Sequence, residues 1–443
     1  MTIRKASVAL VLAAFLLGVS SPHLVADQPK LSTPKYVFLF IGDGMGFEQV
    51  KLAQAGLTHR GGGELRMTRL PVKGSMKTRS ANLPVTDSAA AATALARGRK
   101  TNNGMIGQTP DGQRVESICK AFVHAGMKVG VLTSVGVNHA TPAGFYGHAA
   151  SRNQYNLIAN QFPASGINLL AGCALHSEDK SQAVILEAWK KAGVQVVEDV
   201  SAAASISKDA ALAIIAPSMA SNTIANGDLA HATAVAIDRL YNPDGFFIMV
   251  EGGAIDSAGH ANMAWRNLNE TLAFDRAIEA AYRFYVSHPD DTLIIVTADH
   301  ETGGMSVLED SLDIARQEEI ANLSGKLEDL PKGDELTTDK LTAAMVDVFG
   351  IAELSQDELA ELSLIRVLKV EKRHSAAVLA CRNIAQARAG VKWSTGGHTG
   401  VDVPVYAAGA GSEAFAASQD NTDISRKILE ACKLSASLEP VSN

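Results

Sequence analysis

The sequence is poor in the residues that mark several common classes of protein. Cysteine occurs four times in 443 residues, and aromatic residues make up 5% of the chain. No two cysteines form a Cys-x-x-Cys pair, which argues against a thiolate metal site. Lysine and arginine (40) are outnumbered by aspartate and glutamate (47), so the chain lacks the basic excess that neutralises nucleic-acid phosphates. We therefore expect no nucleic-acid partner.

Long apolar runs are also missing, except near the amino terminus. Arg4 and Lys5 precede an apolar run over residues 8–19, and small residues follow as far as Ala26. This order is typical of a secretory signal peptide, and the run is too short for a stable membrane span. We predict that residues 1–26 are removed on export, with an uncleaved anchor as the alternative. The mature protein is then expected to be periplasmic or secreted, with no membrane span.

The few cysteines leave two possibilities open for the exported chain. They are Cys119, Cys173, Cys381 and Cys432. An oxidising compartment would permit two disulfide bonds among them. Buried free thiols are the alternative, and the spacing of the cysteines does not choose between the two.

Short runs of large apolar residues recur along the chain and alternate with helical stretches. Continuous Val, Ile, Leu and Phe runs of this length are typical of strands that are covered on both faces. Their alternation with helices predicts an α/β fold, with a doubly wound, mostly parallel central sheet and helices on both faces. The predicted strands are residues 36–41, 129–135, 213–216, 246–250 and 293–297, and the predicted helices include 115–126 and 265–288.

Residues 308–390 differ in composition from the rest of the chain. They are dense in charged residues and helix formers, and we interpret them as a mainly helical insertion. A charge-rich helical face is usually a solvated surface. No low-complexity linker interrupts the remaining chain, so residues 27–443 are predicted to form a single α/β domain that contains this insertion.

Carboxylates and histidines directly follow three of the predicted strands. They are Asp43 after the first strand, Glu251, Asp256 and His260 after the fourth, and Asp299 and His300 after the fifth. Ligands of open α/β sheets bind outside the carboxyl ends of the strands. Imidazole nitrogens and carboxylate oxygens are ligands of Zn²⁺, and further oxygens suit Mg²⁺. The pattern predicts a metal site at this edge of the sheet.

The stretch VTDSAAAATAL, residues 85–95, places a serine at the head of an alanine-rich helix. Thr86, Asp87 or Ser88 could cap the helix, because their side-chain oxygens accept bonds from first-turn N–H groups. A helix start also attracts phosphate through those N–H groups and the helix dipole. A serine at that point could be a nucleophile. This stretch alone leaves both interpretations open.

Five segments resemble those of the alkaline phosphatase family, in that family's order. They are GDGMG, TDSAAAATA, EGGAIDSAGH, TADHETGG and STGGHTG. The resemblance extends from about Val37 to Gly409. It implies a metal-dependent enzyme with two Zn²⁺ and one Mg²⁺ that hydrolyses small phosphate monoesters. It also implies a homodimer, because the family is commonly dimeric.

The resemblance further implies a role for each matching residue. Ser88 is the implied nucleophile, and Arg152 is the implied phosphate clamp, since a guanidinium can bond two phosphate oxygens at once. The implied metal ligands are Asp256, His260 and His398 for the first zinc, Asp43, Ser88, Asp299 and His300 for the second zinc, and Asp43, Thr141 and Glu251 for magnesium.

His139 departs from one branch of the family, which has aspartate here, and agrees with the animal-type branch. A neutral imidazole beside the third metal site would soften its preference for magnesium or replace a charged outer partner of the ion. The identity of the third metal therefore stays open.

The implied mechanism has two displacements. Ser88 attacks phosphorus to form a phosphoserine, water then hydrolyses it, and two inversions give net retention of configuration at phosphorus. The alternatives are a phosphodiesterase or other two-zinc hydrolase of the same superfamily, and a noncatalytic metal- or phosphate-binding protein. Ser88 and Arg152 favour the monoesterase, because the arginine would leave the second substituent of a diester poorly accommodated.

Overall fold

A computed structural model of the chain describes residues 32–177, 181–219 and 229–435. The predicted signal peptide, residues 1–26, lies outside these ranges. The strands are β1 Tyr36–Gly42, β2 Val72–Lys77, β3 Lys128–Gly136, β4 Leu169–Cys173, β5 Gln195–Val197, β6 Leu212–Ala216, β7 Phe246–Glu251, β8 Thr292–Ala298, β9 Glu301–Thr302, β10 Met305–Val307, β11 Val391–Trp393, β12 His398–Thr399, β13 Val403–Gly409 and β14 Ser418–Asp420.

Fourteen α-helices are found in the described ranges. They are α1 Phe47–His59, α2 Ser88–Arg97, α3 Ile118–His124, α4 Ala140–Tyr146, α5 Tyr155–Ala159, α6 Gln182–Lys191, α7 Leu229–Leu240, α8 Ala254–His260, α9 Ala264–Ser287, α10 Ile314–Leu323, α11 Thr338–Phe349, α12 Gln356–Leu364, α13 Val370–Arg388 and α14 Asp423–Ala431. None of them combines the length and the apolar character that a bilayer crossing requires.

Strand β1 lies inside a ten-stranded sheet of order β14-β2-β13-β8-β1-β7-β3-β4-β6-β5. Its neighbours β7 and β8 both run parallel to it, and β13 is the strand that pairs antiparallel, with β2 and β8. All seven residues of β1 are buried, as expected for a strand that is covered on both faces. The predicted α/β fold with a mostly parallel sheet is confirmed.

All five apolar runs form strands, but one predicted helix is shorter than expected. The helix predicted over residues 115–126 covers Ile118–His124. It starts late because the Ser117 side chain caps it by accepting the Cys119 N–H. It ends early because the chain turns at Gly126, whose φ of 78° is left-handed and easily adopted by glycine.

The segment 308–390 contains the four helices α10 to α13. Apolar residues of these helices, such as Leu341, Met345 and Phe349, form a hydrophobic cluster of their own. Strands β10 and β11 flank the segment and pair with each other antiparallel, so its two ends leave the α/β body side by side.

The four cysteines are free thiols in the structure. Three of them are buried, and burial raises the pKa of Cys119, Cys381 and Cys432 to about 12. Thiols with such pKa values stay protonated and unreactive at neutral pH. Of the two possibilities left open by the sequence, the structure contains the unpaired thiols.

Candidate active site

The candidate site lies where the carboxyl ends of β8, β1 and β7 meet. These strands are neighbours in the sheet, and their pairing puts Glu251 level with Ile41. Asp43 and Asp299 come one residue after the last paired residues of β1 and β8. Sheet register therefore brings three acidic side chains to one edge, where ligands of open α/β sheets bind.

Asp43, Asp299 and His300 form a fully buried group, named here the inner group. His300 Nε2 lies 3.4 Å from Asp43 Oδ1 and 3.3 Å from Asp299 Oδ2. Both Asp43 oxygens and Asp299 Oδ2 lack a hydrogen-bond partner among the described residues. Burial, and then the neighbouring carboxylates, raise the pKa of Asp43 and of Asp299 well above the ordinary value. A divalent cation would offset both the cost of burying these charges and the repulsion between the carboxylates, so the group fits a metal.

Ser88 is the first residue of helix α2 and faces the inner group. Its Oγ lies 3.3 Å from His300 Nε2, and the residue is 1% exposed. The helix cap is Asp87, whose carboxylate accepts the Ala90 N–H at 3.0 Å. The capping role and the serine are therefore separate, and the Ser88 hydroxyl is available to the site.

The small residues of α2 allow it to approach the site closely. All ten residues of the helix are buried. At Gly144 of α4, an added Cβ would lie 2.7 Å from the Ala92 Cβ, so a larger residue would separate the two helices. Close packing of α2 on α4 brings Ser88 and Thr141 to the same region.

Asp256, His260 and His398 form a second cluster, named here the outer group. His398 Nε2 lies 3.1 Å from His260 Nε2 and 3.6 Å from Asp256 Oδ1. The Nδ1–H of His260 donates to Gly396 O, and that of His398 donates to Thr86 O, at 2.7 Å and 2.9 Å. In the neutral form, each ring therefore turns the lone pair of its Nε2 towards the other ring. Two facing lone pairs repel each other unless a cation lies between them, so this group also fits a metal.

The two groups are adjacent but differ in exposure. The His300 and His398 rings stack with centroids 3.6 Å apart. The His260 side chain is 44% exposed, whereas the inner group is inaccessible to solvent. A substrate arriving from solvent therefore meets the outer group first.

A third set of donors lies on the other side of Asp43. Asp43, His139 and Glu251 offer ligand atoms within 4.8 Å of one another. Glu251 Oε1 and Thr141 Oγ1 are buried without a hydrogen-bond partner among the described residues, while Glu251 Oε2 accepts the Thr133 hydroxyl. Burial raises the pKa of Glu251 to about 7. The excess of oxygen donors suits a hard cation such as Mg²⁺.

Arg152 is held at the site by two partners. Its Nη1 donates to Asp87 Oδ2 and its Nη2 donates to His139 Nε2, both at 3.1 Å. Burial, and then the Arg152 charge, lower the pKa of His139 to about 3, so this imidazole is neutral. Because Arg152 only donates, the neutral ring carries its proton on Nδ1.

The structure brings together the site residues that were proposed from the sequence. Three further residues that support them were not predicted. Asp87 orients Arg152, Thr133 binds Glu251, and Thr302 bridges the inner and outer groups. Position in the sequence could have indicated two of these three residues. Asp87 directly precedes Ser88, and Thr302 lies two positions after His300, which is the spacing of side chains on one face of a strand.

Comparison with known proteins decides the family. The family model described as alkaline phosphatase matches residues 34–186 and 180–434. The chain belongs to the alkaline phosphatase family. It is therefore a metal-dependent phosphatase that hydrolyses phosphate monoesters, and the noncatalytic alternative is wrong.

Individual members of the family match over most of their length. Alkaline phosphatase 3 of Bacillus subtilis is 34% identical over 368 residues, which cover 78% of this chain and 77% of that one. The cold-active alkaline phosphatase of a psychrophilic Shewanella species superposes with a TM-score of 0.72 at 29% identity, covering 90% of this chain and 99% of that one. A histidine-to-glutamate variant of TAB5 alkaline phosphatase, with magnesium bound in its M3 site, gives a TM-score of 0.68 at 30% identity, covering 92% and 100%.

Proposed function

We propose that this phosphatase works through a phosphoserine formed at Ser88, in a site that holds two Zn²⁺ and one Mg²⁺. The observation that carries the proposal is the position of the Ser88 hydroxyl. It begins a buried helix and lies 3.3 Å from His300 Nε2, beside carboxylate oxygens that have no other partner among the described residues. A hydroxyl in this position is the natural nucleophile of the site.

The donor chemistry supports one ion for each set of residues. The proposed ligands are Asp256, His260 and His398 for the first zinc, Asp43, Ser88, Asp299 and His300 for the second zinc, and Asp43, Thr141 and Glu251 for magnesium. Mixed nitrogen and oxygen donors suit zinc, and oxygen donors suit magnesium. His139 Nε2 accepts from Arg152, and its Nδ1 has no hydrogen-bond partner among the described residues, so we place His139 beside the third site and not among its ligands.

The chain's own residues bind, orient and attack the substrate. Bound cations would supply Lewis acidity for the attack of the serine and for the departure of the alcohol. N–H groups of the first turn of α2 bind one phosphate oxygen, and Arg152 binds two others. Ser88 Oγ attacks phosphorus in line with the leaving alcohol. Water then hydrolyses the phosphoserine in a second in-line displacement, which restores the original configuration.

Acid quenching during turnover tests this mechanism. The enzyme is mixed with a phosphate monoester labelled with ³²P, quenched in acid and digested, and the labelled peptide is sequenced. We expect the label on Ser88. A chiral thiophosphate ester should give a product with retained configuration. Inverted product, together with an unlabelled enzyme, would exclude the covalent route.

We further propose that residues 1–26 direct export and are removed, which places the enzyme in the periplasm or outside the cell. The proposal is supported by the basic, apolar and small segments in that order. Mass spectrometry of the exported protein should find a chain that begins near Asp27. A full-length chain in the membrane fraction would instead indicate an uncleaved anchor.

We also propose that the enzyme is a homodimer, on the basis of the family resemblance. Sedimentation equilibrium should give about twice the mass of the mature chain. A single-chain mass across the micromolar concentration range would contradict the proposal.

A further inference from the structure

Thr302 lies between the inner and outer groups and contacts one member of each. Its Oγ1 lies 2.6 Å from Asp256 Oδ1 and 3.2 Å from His300 Nδ1. The residue is fully buried in β9, and it pairs across the two-stranded ladder with His398 of β12. Thr302 is therefore placed to link side chains that come from different parts of the chain.

The direction of the two hydrogen bonds follows from the number of protons. A threonine hydroxyl carries one proton, and an ionised carboxylate only accepts. The proton therefore goes to Asp256, at a distance typical of an O–H donor to a carboxylate. The Thr302 oxygen must then accept the His300 Nδ1–H.

This arrangement determines which nitrogen of His300 can bind a cation. With its proton on Nδ1, His300 presents the Nε2 lone pair to the side where Asp43, Asp299 and Ser88 lie. The opposite tautomer would direct an N–H at that position and would exclude a cation. The same hydroxyl holds the Asp256 carboxylate in the orientation that faces His260 and His398.

We propose that Thr302 is a positioning residue whose single hydroxyl sets the His300 tautomer and the Asp256 orientation together, and so couples the two zinc positions. The inference rests on the ligand assignment of the proposed function. It adds a residue that binds neither metal nor substrate.

Two glycines confine the Thr302 side chain. A Cβ added at Gly44 would lie 2.8 Å from Thr302 Oγ1, and one added at Gly259 would lie 3.0 Å from Thr302 Cβ. The backbones of the loop after β1 and of α8 therefore close directly on the side chain. This packing favours one rotamer, so the hydroxyl is preorganised before any ion arrives.

The substitution Thr302→Val tests the proposal because it removes the hydroxyl and keeps the shape. The new methyl group leaves no room for a water molecule to replace the lost oxygen. It also removes the Thr302 oxygen as an acceptor for the His300 Nδ1–H. We expect zinc affinity, measured by competition with a chromogenic chelator in the absence of substrate, to fall by about 10- to 100-fold. The affinity for both zinc ions should fall, because the hydroxyl contacts both the inner group and the outer group.

Two matched variants separate positioning from general packing. Thr302→Ser keeps the hydroxyl and should restore zinc affinity to within about threefold of wild type. Thr271→Val makes the same buried change in α9, where the hydroxyl donates to Asn267 O, and it should leave zinc affinity unchanged. If Thr302→Val does not fold, Thr302→Ala takes its place in the same assay.

Wild-type zinc affinity in the folded valine variant would overturn the proposal, as would failure of serine to rescue it. Because the assay contains no substrate, its result does not depend on whether Ser88 is phosphorylated. The two proposals can therefore fail separately. If no phosphoserine is trapped but the Thr302 variants change zinc affinity as expected, the result counts against the proposed mechanism and not against the role of Thr302.

Discussion

Two adjacent residues at the start of α2 have different tasks. The Asp87 carboxylate accepts hydrogen bonds from the Ala90 N–H and from the Arg152 guanidinium, so it caps the helix and orients Arg152. The Ser88 hydroxyl takes no part in the cap and lies beside His300. Separating the two roles leaves the serine oxygen free for chemistry without exposing the first turn of the helix.

Ser88→Ala should abolish nearly all turnover and leave zinc in place, because the carboxylate and imidazole ligands remain. The measurements are kcat with a chromogenic monoester and zinc content by elemental analysis. Ser117→Ala is the matched control, since Ser117 caps α3 and should cost about 1 kcal/mol of stability with no loss of activity. A fully active Ser88→Ala protein would show that the hydroxyl is not the nucleophile.

Arg152→Lys should weaken phosphate binding by about tenfold, because an ammonium does not reproduce the planar two-point contact of a guanidinium. Lysine also cannot span Asp87 and His139 as the two Nη atoms do. The inhibition constant of inorganic phosphate measures the effect, and zinc content should not change. The same substitution at the exposed Arg69 should have no effect on inhibition. The same inhibition constant in the wild type, the Arg152→Lys variant and the Arg69→Lys variant would refute the role of Arg152 in binding phosphate.

At the scale of elements, the buried Arg97 joins the two helices that carry Ser88 and Thr141. Its guanidinium donates to Gly144 O at 3.0 Å, to Gly147 O at 2.8 Å and to Val115 O. Burial lowers its pKa to about 10, so it is still charged at neutral pH. One side chain of α2 thus donates to two carbonyl groups at the end of α4 and to one in the loop before α3.

Arg97→Met should destabilise the fold by about 3 kcal/mol or more, because it removes the guanidinium donor from the carbonyl groups of Gly144, Gly147 and Val115. It should also lower kcat at temperatures well below Tm, since α2 and α4 lose their common anchor. Arg239→Met is the matched control, because Arg239 is also buried and donates to the carbonyl groups of Ile206, Ser207 and Ala210. We expect that control to lose stability and keep kcat. Equal kcat in both variants would contradict a positioning role for Arg97.

At the scale of the whole molecule, buried carboxylates lie close together around Asp43 in a chain of net negative charge. Desolvation and mutual repulsion raise the pKa of Asp43 and Asp299, and desolvation raises that of Glu251 to about 7. Their folded pKa values exceed the unfolded ones, so ionising these groups in the metal-free protein destabilises the fold as pH rises. Bound cations would reverse this effect, which makes metal binding part of the stability of the molecule.

Metal removal should therefore lower Tm more at pH 8 than at pH 5.5. Below about pH 7 the metal-free protein keeps a proton on Glu251, and a cation must displace it, so the stabilisation by metal grows as pH rises through this range. His300 does not oppose this trend, because burial lowers its pKa and the ring is already neutral. Differential scanning calorimetry with and without chelator measures the difference. An equal shift of Tm at both pH values would refute the prediction.

The sequence by itself determined the elements and the chemistry at their ends. Runs such as residues 36–41 and 293–297 predict buried strands because a local stretch of apolar residues suffices to identify them. Asp43 and Asp299 then follow from their places after those strands. The start of α3 was placed too early, since the Ser117 side chain caps the helix by accepting the Cys119 N–H.

Only the tertiary structure decided which donors and acceptors meet. Ser88 and His300 are 212 residues apart, and Asp256 and Thr302 are 46 apart. The anchoring of Arg152 and the bridging role of Thr302 depend on such contacts. Local patterns contain no information on them, because strand order and register in the sheet bring these side chains together.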